Sequence, residues 1–342
     1  MDQGCPAEVV DNFRLTGLWL DASGWKKSLK KRGKTRAEFK SHGSYPFYKK
    51  IGTGENVRER KAIWLLLPTV LILTTLFVGG FVFGILQSLG FFSVIAGEDQ
   101  RISLDAYTAV FQNQTVKAGI LLTFRVAIVS TVLSTVIALA ISLMISRTKR
   151  FQSTLIAITQ FNIPIPHVVA ATGILLTFSQ SGIVSRLTNH FGLTDGPSDF
   201  PIITNDPFGY GIIMSYLWKE VPFMCVLILS ALRGPVTGLD ETAKTLGAGY
   251  GYRLRKIILP YIFPSILSGT IIVFAFSFGS YEVPYLLGEP YPSTVSVVAY
   301  QLYTDRDLAN RPTAMALATI TSVVIGLLVF AYMRLTRQKG RK

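Results

Sequence analysis

The chain has 342 residues, 49% of them hydrophobic and only 16% charged, with a formal net charge of +14. A soluble chain carries about 25% charged residues, so the deficit excludes an ordinary water-facing globule and makes lipid the solvent for much of the sequence. The basic excess lies beside apolar stretches and comes with no nucleic-acid motif, which favours an anionic membrane surface over nucleic acid as its partner.

Residues 1–61 form a basic arm. Phe13, Leu15, Leu18, Trp19 and Leu20 precede a run holding Lys26, Lys27, Lys30, Lys31, Arg32, Lys34 and Arg36. Two readings fit: a solvated arm that enforces topology, or an interfacial helix held by anionic lipid. Cys5 follows no apolar region, so neither a lipoprotein anchor nor a cleaved signal is expected.

A hydrocarbon core about 30 Å thick takes about 20 helical residues. Six segments meet that test, near residues 63–87, 118–145, 154–178, 209–232, 261–287 and 313–333. The pattern predicts an all-α integral membrane protein. Pro264, Gly269, Gly279 and Pro284 interrupt the fifth segment; a spanning helix tolerates them where neighbours or water satisfy the backbone, which places it inside a bundle. Cys225 reads as a small buried residue. With His42, His167 and His190 scattered, no disulfide framework or metal spacing is present.

Basic residues alternate with acidic ones along the links. Arg147, Lys149 and Arg150 follow span two. Arg233, Lys244, Arg253, Arg255 and Lys256 follow span four, and Arg334, Arg337, Lys339, Arg341 and Lys342 follow span six. The other links hold Glu98, Asp99 and Asp105; Asp195, Asp199 and Asp206; and Glu289, Asp305 and Asp307. The positive-inside rule then puts both termini, and the segment after span four, in the cytoplasm of a multi-pass cell-membrane protein.

Charges at bilayer depth are costly and face protein or water. Arg125, Lys219, Glu220 and Glu282 are of this kind. Lys219 and Glu220 are adjacent, point about 100° apart on a helix, and need different partners. Ser277, Ser280, Tyr281 and Glu282, loosened by Gly279 and Pro284, are candidates for a substrate path. Ties between helices are the competing reading for each charge.

The link after span four is patterned more than a connector needs. Thr237 is placed to cap a helix, with Asp240 and Glu241 near its positive end. Leu239, Ala243 and Leu246 recur on one face. Gly247 suits a positive φ that stops the helix, Gly249 and Gly251 prolong the break, and a basic helix restarts over residues 253–256. Pro260 marks the start of the next span. From pattern alone, a docking element and an ordinary capped loop both remain open.

Residues 241–260 resemble the cytoplasmic signature of the permease subunit of binding-protein-dependent ABC importers of type I fold. That signature is Glu-Ala-Ala, three residues, Gly, nine residues, Ile-x-Leu-Pro. Glu241, Ala243, Gly247, Ile257, Leu259 and Pro260 hold its positions. Thr242 replaces the second residue, Leu246 stands where many sugar permeases have Asp, and Leu254 replaces a frequent Phe. Phe124-Arg-Val-Ala-Ile-Val-Ser-Thr-Val-Leu and Asn162-Ile-Pro-Ile-Pro-His-Val-Val-Ala are similar to the family's second and third spans. The likeness runs over about residues 63–337 and leaves out the arm.

The resemblance implies a permease domain over residues 62–337, with a coupling loop at 233–260 and a basic tail at 338–342. It implies that Glu241, Ala243, Leu246, Gly247, Ile257, Leu259 and Pro260 couple the chain to a cytoplasmic ABC ATPase dimer. A second permease subunit is also implied (a heterodimer favoured, a homodimer possible), as is an extracytoplasmic solute-binding protein. ATP is used by the partner, since the chain lacks a Gly-x-x-x-x-Gly-Lys-Ser/Thr loop; no catalytic residue, metal or cofactor of its own is expected. Leu246-Gly-Ala and Tyr281-Glu-Val-Pro-Tyr-Leu-Leu-Gly look closest to the spermidine/putrescine branch and its iron and oxyanion relatives. That look suggests a polyamine or another small cation. The alternatives are iron, an oxyanion, an organic anion or a sugar, or an ion-coupled secondary transporter that uses its intramembrane charges without an ATPase.

Overall fold

The computed structural model describes residues 55–91, 102–148 and 150–339. The readings of the basic arm and Cys5 fall largely on residues 1–54, outside the described residues, as do Glu98, Asp99, Lys149, Arg341 and Lys342. The chain divides into residues 1–72 and 73–342, and the architecture below is that of the second unit.

Every regular element among the described residues is a helix; Asp206 and Gly288 add one isolated parallel bridge. Helix α1 (Glu55–Ser88) is followed by the short α2 (Asp105–Gln112) and by α3 (Gln114–Arg147). Asn113 starts α3, its Oδ1 accepting from the Thr115 N–H at 2.9 Å, which supplies a partner that the first turn of a helix lacks. Next come α4 (Gln152–Gln160), α5 (His167–Phe178) and α6 (Ile183–His190). Helix α7 (Tyr210–Leu232) begins where Asp206 Oδ2 accepts from the Phe208 and Gly209 N–H groups at 3.0 and 2.8 Å. Then come α8 (Val236–Thr245), α9 (Tyr250–Arg253), α10 (Leu259–Gly279), α11 (Glu282–Leu287), α12 (Val295–Tyr303) and α13 (Arg311–Lys339).

Six helical stretches among the described residues are long and apolar enough to cross a bilayer: Trp64–Ser88, Gln114–Arg147, His167–His190, Tyr210–Leu232, Tyr250–Gly279 and Leu308–Arg334. Large apolar side chains such as Leu121, Val136, Leu176 and Leu327 are exposed. Lipid is the solvent that accepts such a surface without penalty.

Two expected spans differ from what is observed. The third, expected as one helix over residues 154–178, is split into α4 and α5 by residues 161–166. Pro164 and Pro166 supply no N–H, and each biases the residue before it out of the helical region. The fifth, expected to run to residue 287, ends at Gly279 because Ser280 turns extended (φ −66°, ψ 137°) and α11 starts afresh.

Helix α3 is central, with its most extensive pairing to α7 and the next to α10. The buried face of α3 toward the middle of the bundle includes Ser130, Ser134, Ala138 and Ser142 at four-residue steps. Small residues let membrane helices approach closely, since packing, not hydrophobicity, drives their association. The Ser134 hydroxyl turns back onto its own helix, donating to the Ser130 carbonyl at 2.6 Å. Around Ala138, Met224, Cys225, Ile228, Ile258, Ile262 and Ile266 form one apolar cluster. A second, around Leu122, Val126, Ile174, Ile212, Tyr216, Val283 and Leu287, fills the opposite half of α3 and α7. Cys225 is buried, as its apolar setting predicts.

Candidate functional site: the coupling loop and the polar lock

The link after α7 folds as a short helix, a sharp turn and a returning helix. Helix α8 starts two residues early, at Val236, because Pro235 already has helical angles (φ −55°, ψ −19°). Thr237 therefore lies inside the helix rather than capping it, and its hydroxyl donates to the Leu232 carbonyl at 3.0 Å. Asp240 and Glu241 sit beyond the first turn, away from the positive end where the sequence places them. Val236 is buried and anchors the start.

The end of α8 has a specific hydrogen-bond geometry. The Gly247 N–H donates to the Lys244 carbonyl and the Ala248 N–H to the Ala243 carbonyl, both at 3.0 Å, and Gly247 has φ +82°. This pair of bonds is a Schellman motif, which satisfies carbonyls that the helix end leaves open. Left-handed backbone there is why a glycine stands at this position. Ala243 and Ala248 are small where the two ends of the turn meet. Leu239 and Leu246 are 51% and 82% exposed, so the apolar face of α8 is uncovered. Glu241 is exposed on the same helix.

After the turn, α9 runs into a π-turn (Leu254–Ile258) and directly into α10. The Leu259 N–H bonds to the Leu254 carbonyl, five residues back. Pro260 explains the widening, because a proline lacks the N–H and crowds the carbonyl four residues earlier. Ile257 and Leu259 are half-buried and Pro260 is exposed. The helix passes through Pro260 without a break, so that residue lies inside the span and does not mark its start.

Deep in the bundle, Lys219 and Glu220 of α7 meet the break between α4 and α5. Both are buried, at 6% and 7% exposure. The Lys219 ammonium donates to the carbonyls of Asn162, Ile163 and Ile165 at 3.0, 3.0 and 2.6 Å. A cation thus sits at the negative end of α4. Glu220 lies 3.4 Å from Nε2 of His167, the first residue of α5, so a carboxylate stands by the positive end of that helix. The two neighbours find different partners, as their 100° separation requires. Asn162 closes the arrangement, its Nδ2 donating to the Trp218 carbonyl.

Arg125 stays within protein too. Its Nη2 donates to the Pro207 carbonyl at 2.5 Å and its guanidinium lies 4.4 Å from the centre of the Phe208 ring. Ser277 is buried near the end of α10 and Ser280 is half-buried at the break. Glu282 is not in the span: it is the first residue of α11 and exposed. Tyr281, Tyr285 and Tyr300 pack as a triad with ring centroids 4.8 to 5.7 Å apart.

The structure brings Lys219 and Glu220 together with Asn162 and His167, two residues that hydropathy does not flag. The signal was there in Pro222, four residues after Trp218, and in the paired Pro164 and Pro166. Arg253, Asp240, Tyr250 and Arg147 also meet at the link after α7. No group of histidines, cysteines and carboxylates among the described residues is placed to hold a metal ion.

A multi-span helical bundle with a short exposed helix between its fourth and fifth spans is the architecture of a multi-pass membrane protein. The chain belongs to the family of binding-protein-dependent transport system inner membrane components, which matches residues 62–342. The molybdenum transport system permease protein ModB of Mycobacterium tuberculosis (strain H37Rv) is 21% identical over 230 residues, 67% of this chain and 83% of that protein. The spermidine/putrescine transport system permease protein PotC of Escherichia coli (strain K12) is 29% identical over 132 residues, 39% of this chain and 49% of that one. The crystal structure of a bacterial ABC transporter involved in the import of the acidic polysaccharide alginate shares the fold, with TM-score 0.67 and 22% identity over 83% of this chain and 99% of that one. The spermidine/putrescine branch is one likeness among several. Membership of this family removes the ion-coupled secondary transporter as a reading.

Proposed function

We propose that this permease forms half of a solute path and receives work from a cytoplasmic ABC ATPase through α8, with ATP bound and hydrolysed only by that partner. The observation that carries the reading is the uncovered apolar face of α8, Leu239 and Leu246, on a helix ended by the Gly247 turn. Water does not favour such a face, and a groove on a partner does. The basic residues Arg147, Arg150, Arg233, Arg255 and Lys256 around this helix support a cytoplasmic location for it and for both termini. A second permease subunit, a heterodimeric one by preference, completes the path, and an extracytoplasmic binding protein delivers the solute. In an affinity pull-down the native chain brings down an ATPase. Glu241→Lys and Gly247→Asp insert into the membrane without it. Full ATPase recovery with both variants would overturn the docking role.

For the solute we propose a polyamine or another small cation. The exposed Glu282 beside the Tyr281 triad supports it, as does the likeness to the spermidine/putrescine permease. Carboxylates and aromatic faces are the groups that attract amines. A tetrahedral oxyanion is the second reading, favoured by the longer likeness to a molybdenum permease. Uptake of radiolabelled putrescine that excess molybdate leaves unchanged supports the first; the opposite dependence supports the second.

A further inference from the structure

The geometry points to Arg253 as the positioning residue that fixes the angle between α8 and span five, gripping Asp240 so that a push on α8 reaches spans two and five as one body. This rests on the docking reading of α8. The turn between α8 and α9 contains Gly247 and Gly249, Gly251 follows as the second residue of α9, and a Cβ at any of the three would meet nothing within 4 Å. The glycines add no side-chain contact to what the two backbone bonds at the end of α8 and the buried Val236 at its start supply. A force applied to α8 would strain the turn.

Arg253 supplies what the glycines do not. Its Nη1 donates to Asp240 Oδ2 at 3.0 Å and to the Asp240 carbonyl at 3.2 Å. One residue of α8 is therefore held by side chain and backbone together, which fixes the helix and not only a rotamer. Arg253 is 9% exposed. The Asp240 side chain is 29% exposed, so the pair is partly screened by solvent, but removing Asp240 leaves the buried Arg253 guanidinium without its charge partner.

The grip extends further. The Arg253 guanidinium lies 5.8 Å from the centre of the Tyr250 ring, and Arg147 lies 3.4 Å from the centre of the same ring. Arg147 is the last residue of α3, the helix around which the bundle packs. Asp240, Arg253, Tyr250 and Arg147 thus form a chain from α8 to both long helices.

The test uses the full-length chain in lipid nanodiscs with its co-purifying ATPase, in a Cys5→Ser, Cys225→Ala background. Spin labels go on Lys244→Cys and Met144→Cys, both at exposed positions outside the grip. In the native chain the distance distribution between the labels is narrow. Asp240→Ala and Arg253→Met each widen it at least about twofold while the ATPase still co-purifies. Arg253→Lys, which keeps a cationic donor for the Asp240 carboxylate, widens it less than Arg253→Met. Native width in Asp240→Ala and Arg253→Met overturns the proposal, and so does Arg253→Lys as wide as Arg253→Met. Absence of the ATPase from the native preparation overturns the docking reading, and the transmitting role of Arg253 falls with it.

Discussion

Asn162 donates its side-chain amide to the carbonyl of Trp218, the acceptor that Pro222 leaves without its partner within α7. In exchange, Lys219 on the same helix covers the open carbonyls of the α4–α5 break. Each interrupted helix satisfies the backbone of the other, as a break at membrane depth requires of its neighbours.

That exchange makes a double-mutant cycle informative. Asn162→Leu costs about 1–3 kcal/mol in the native chain, because the Trp218 carbonyl is left buried and unpaired. With Pro222→Ala the backbone N–H returns and the cost of Asn162→Leu falls by about 1 kcal/mol or more. Denaturant titration in detergent measures both. Equal costs in the two backgrounds would separate Asn162 from the proline.

Lys219→Met keeps most of the unbranched apolar stem and removes three hydrogen bonds. The expected loss is about 3 kcal/mol or more, the range for breaking a buried charged contact. It reads out as a lower thermal midpoint and less protein in the membrane. A stability equal to the native chain would mean that the carbonyls of Asn162, Ile163 and Ile165 find other donors.

At Gly247 the cost of substitution is set by the backbone alone, since no atom lies within 4 Å of an added Cβ. Gly247→Ala loses about 1–2 kcal/mol of turn stability from the left-handed angle. Gly247→Asn loses less, because asparagine tolerates that region. ATPase co-purification is expected to rank Gly, Asn, Ala, Val in descending order. A rank that follows side-chain volume and ignores left-handed preference would contradict the turn geometry.

Gly269 is limited by space instead. A Cβ there would come within 2.6 Å of Met224 Sδ and 2.9 Å of Leu227 Cδ1. Gly269→Val crowds the Met224 and Leu227 side chains of α7 and makes them repack, at a cost of about 1–3 kcal/mol. Met224→Ala in the same chain recovers part of it. Detergent unfolding of the single and double variants checks this, and an unaltered single variant would place α10 further from α7.

The number of spans was legible because apolar run length is a local property, and hydropathy placed spans one, two, four and six within a few residues of the helices observed. The break at 161–166 was not. Ile163 and Ile165 alternate with Pro164 and Pro166, so a window as long as a span stays apolar across the local dip, and the side chain that stabilises the break comes from a different helix. Glu282 was misplaced for the same reason: an apolar window runs through Ser280, where the backbone turns. The Gly247 turn was readable from one residue type at one position. Thr237 was misread because Pro235 had already begun the helix. The meeting of Arg253 with Asp240 depends on how the glycine turn folds back, which no single-residue preference reports.

The π-turn at Leu254–Ile258 gives the loop a property that residue spacing alone conceals. Buried positions along the returning helix run Arg253, Ile258, Ile262, Ile266, Gly269, Val273 and Ser277. The first step is five residues and the others are three or four. One extra residue in a helix rotates everything beyond it by about 100°. The stretch from Gly247 to Pro260 therefore behaves as a gear setting rather than a tether. Inserting a further residue between Arg253 and Ile258 would leave the reach of the loop almost unchanged, yet turn Arg253 out of phase with the wall of the span it serves.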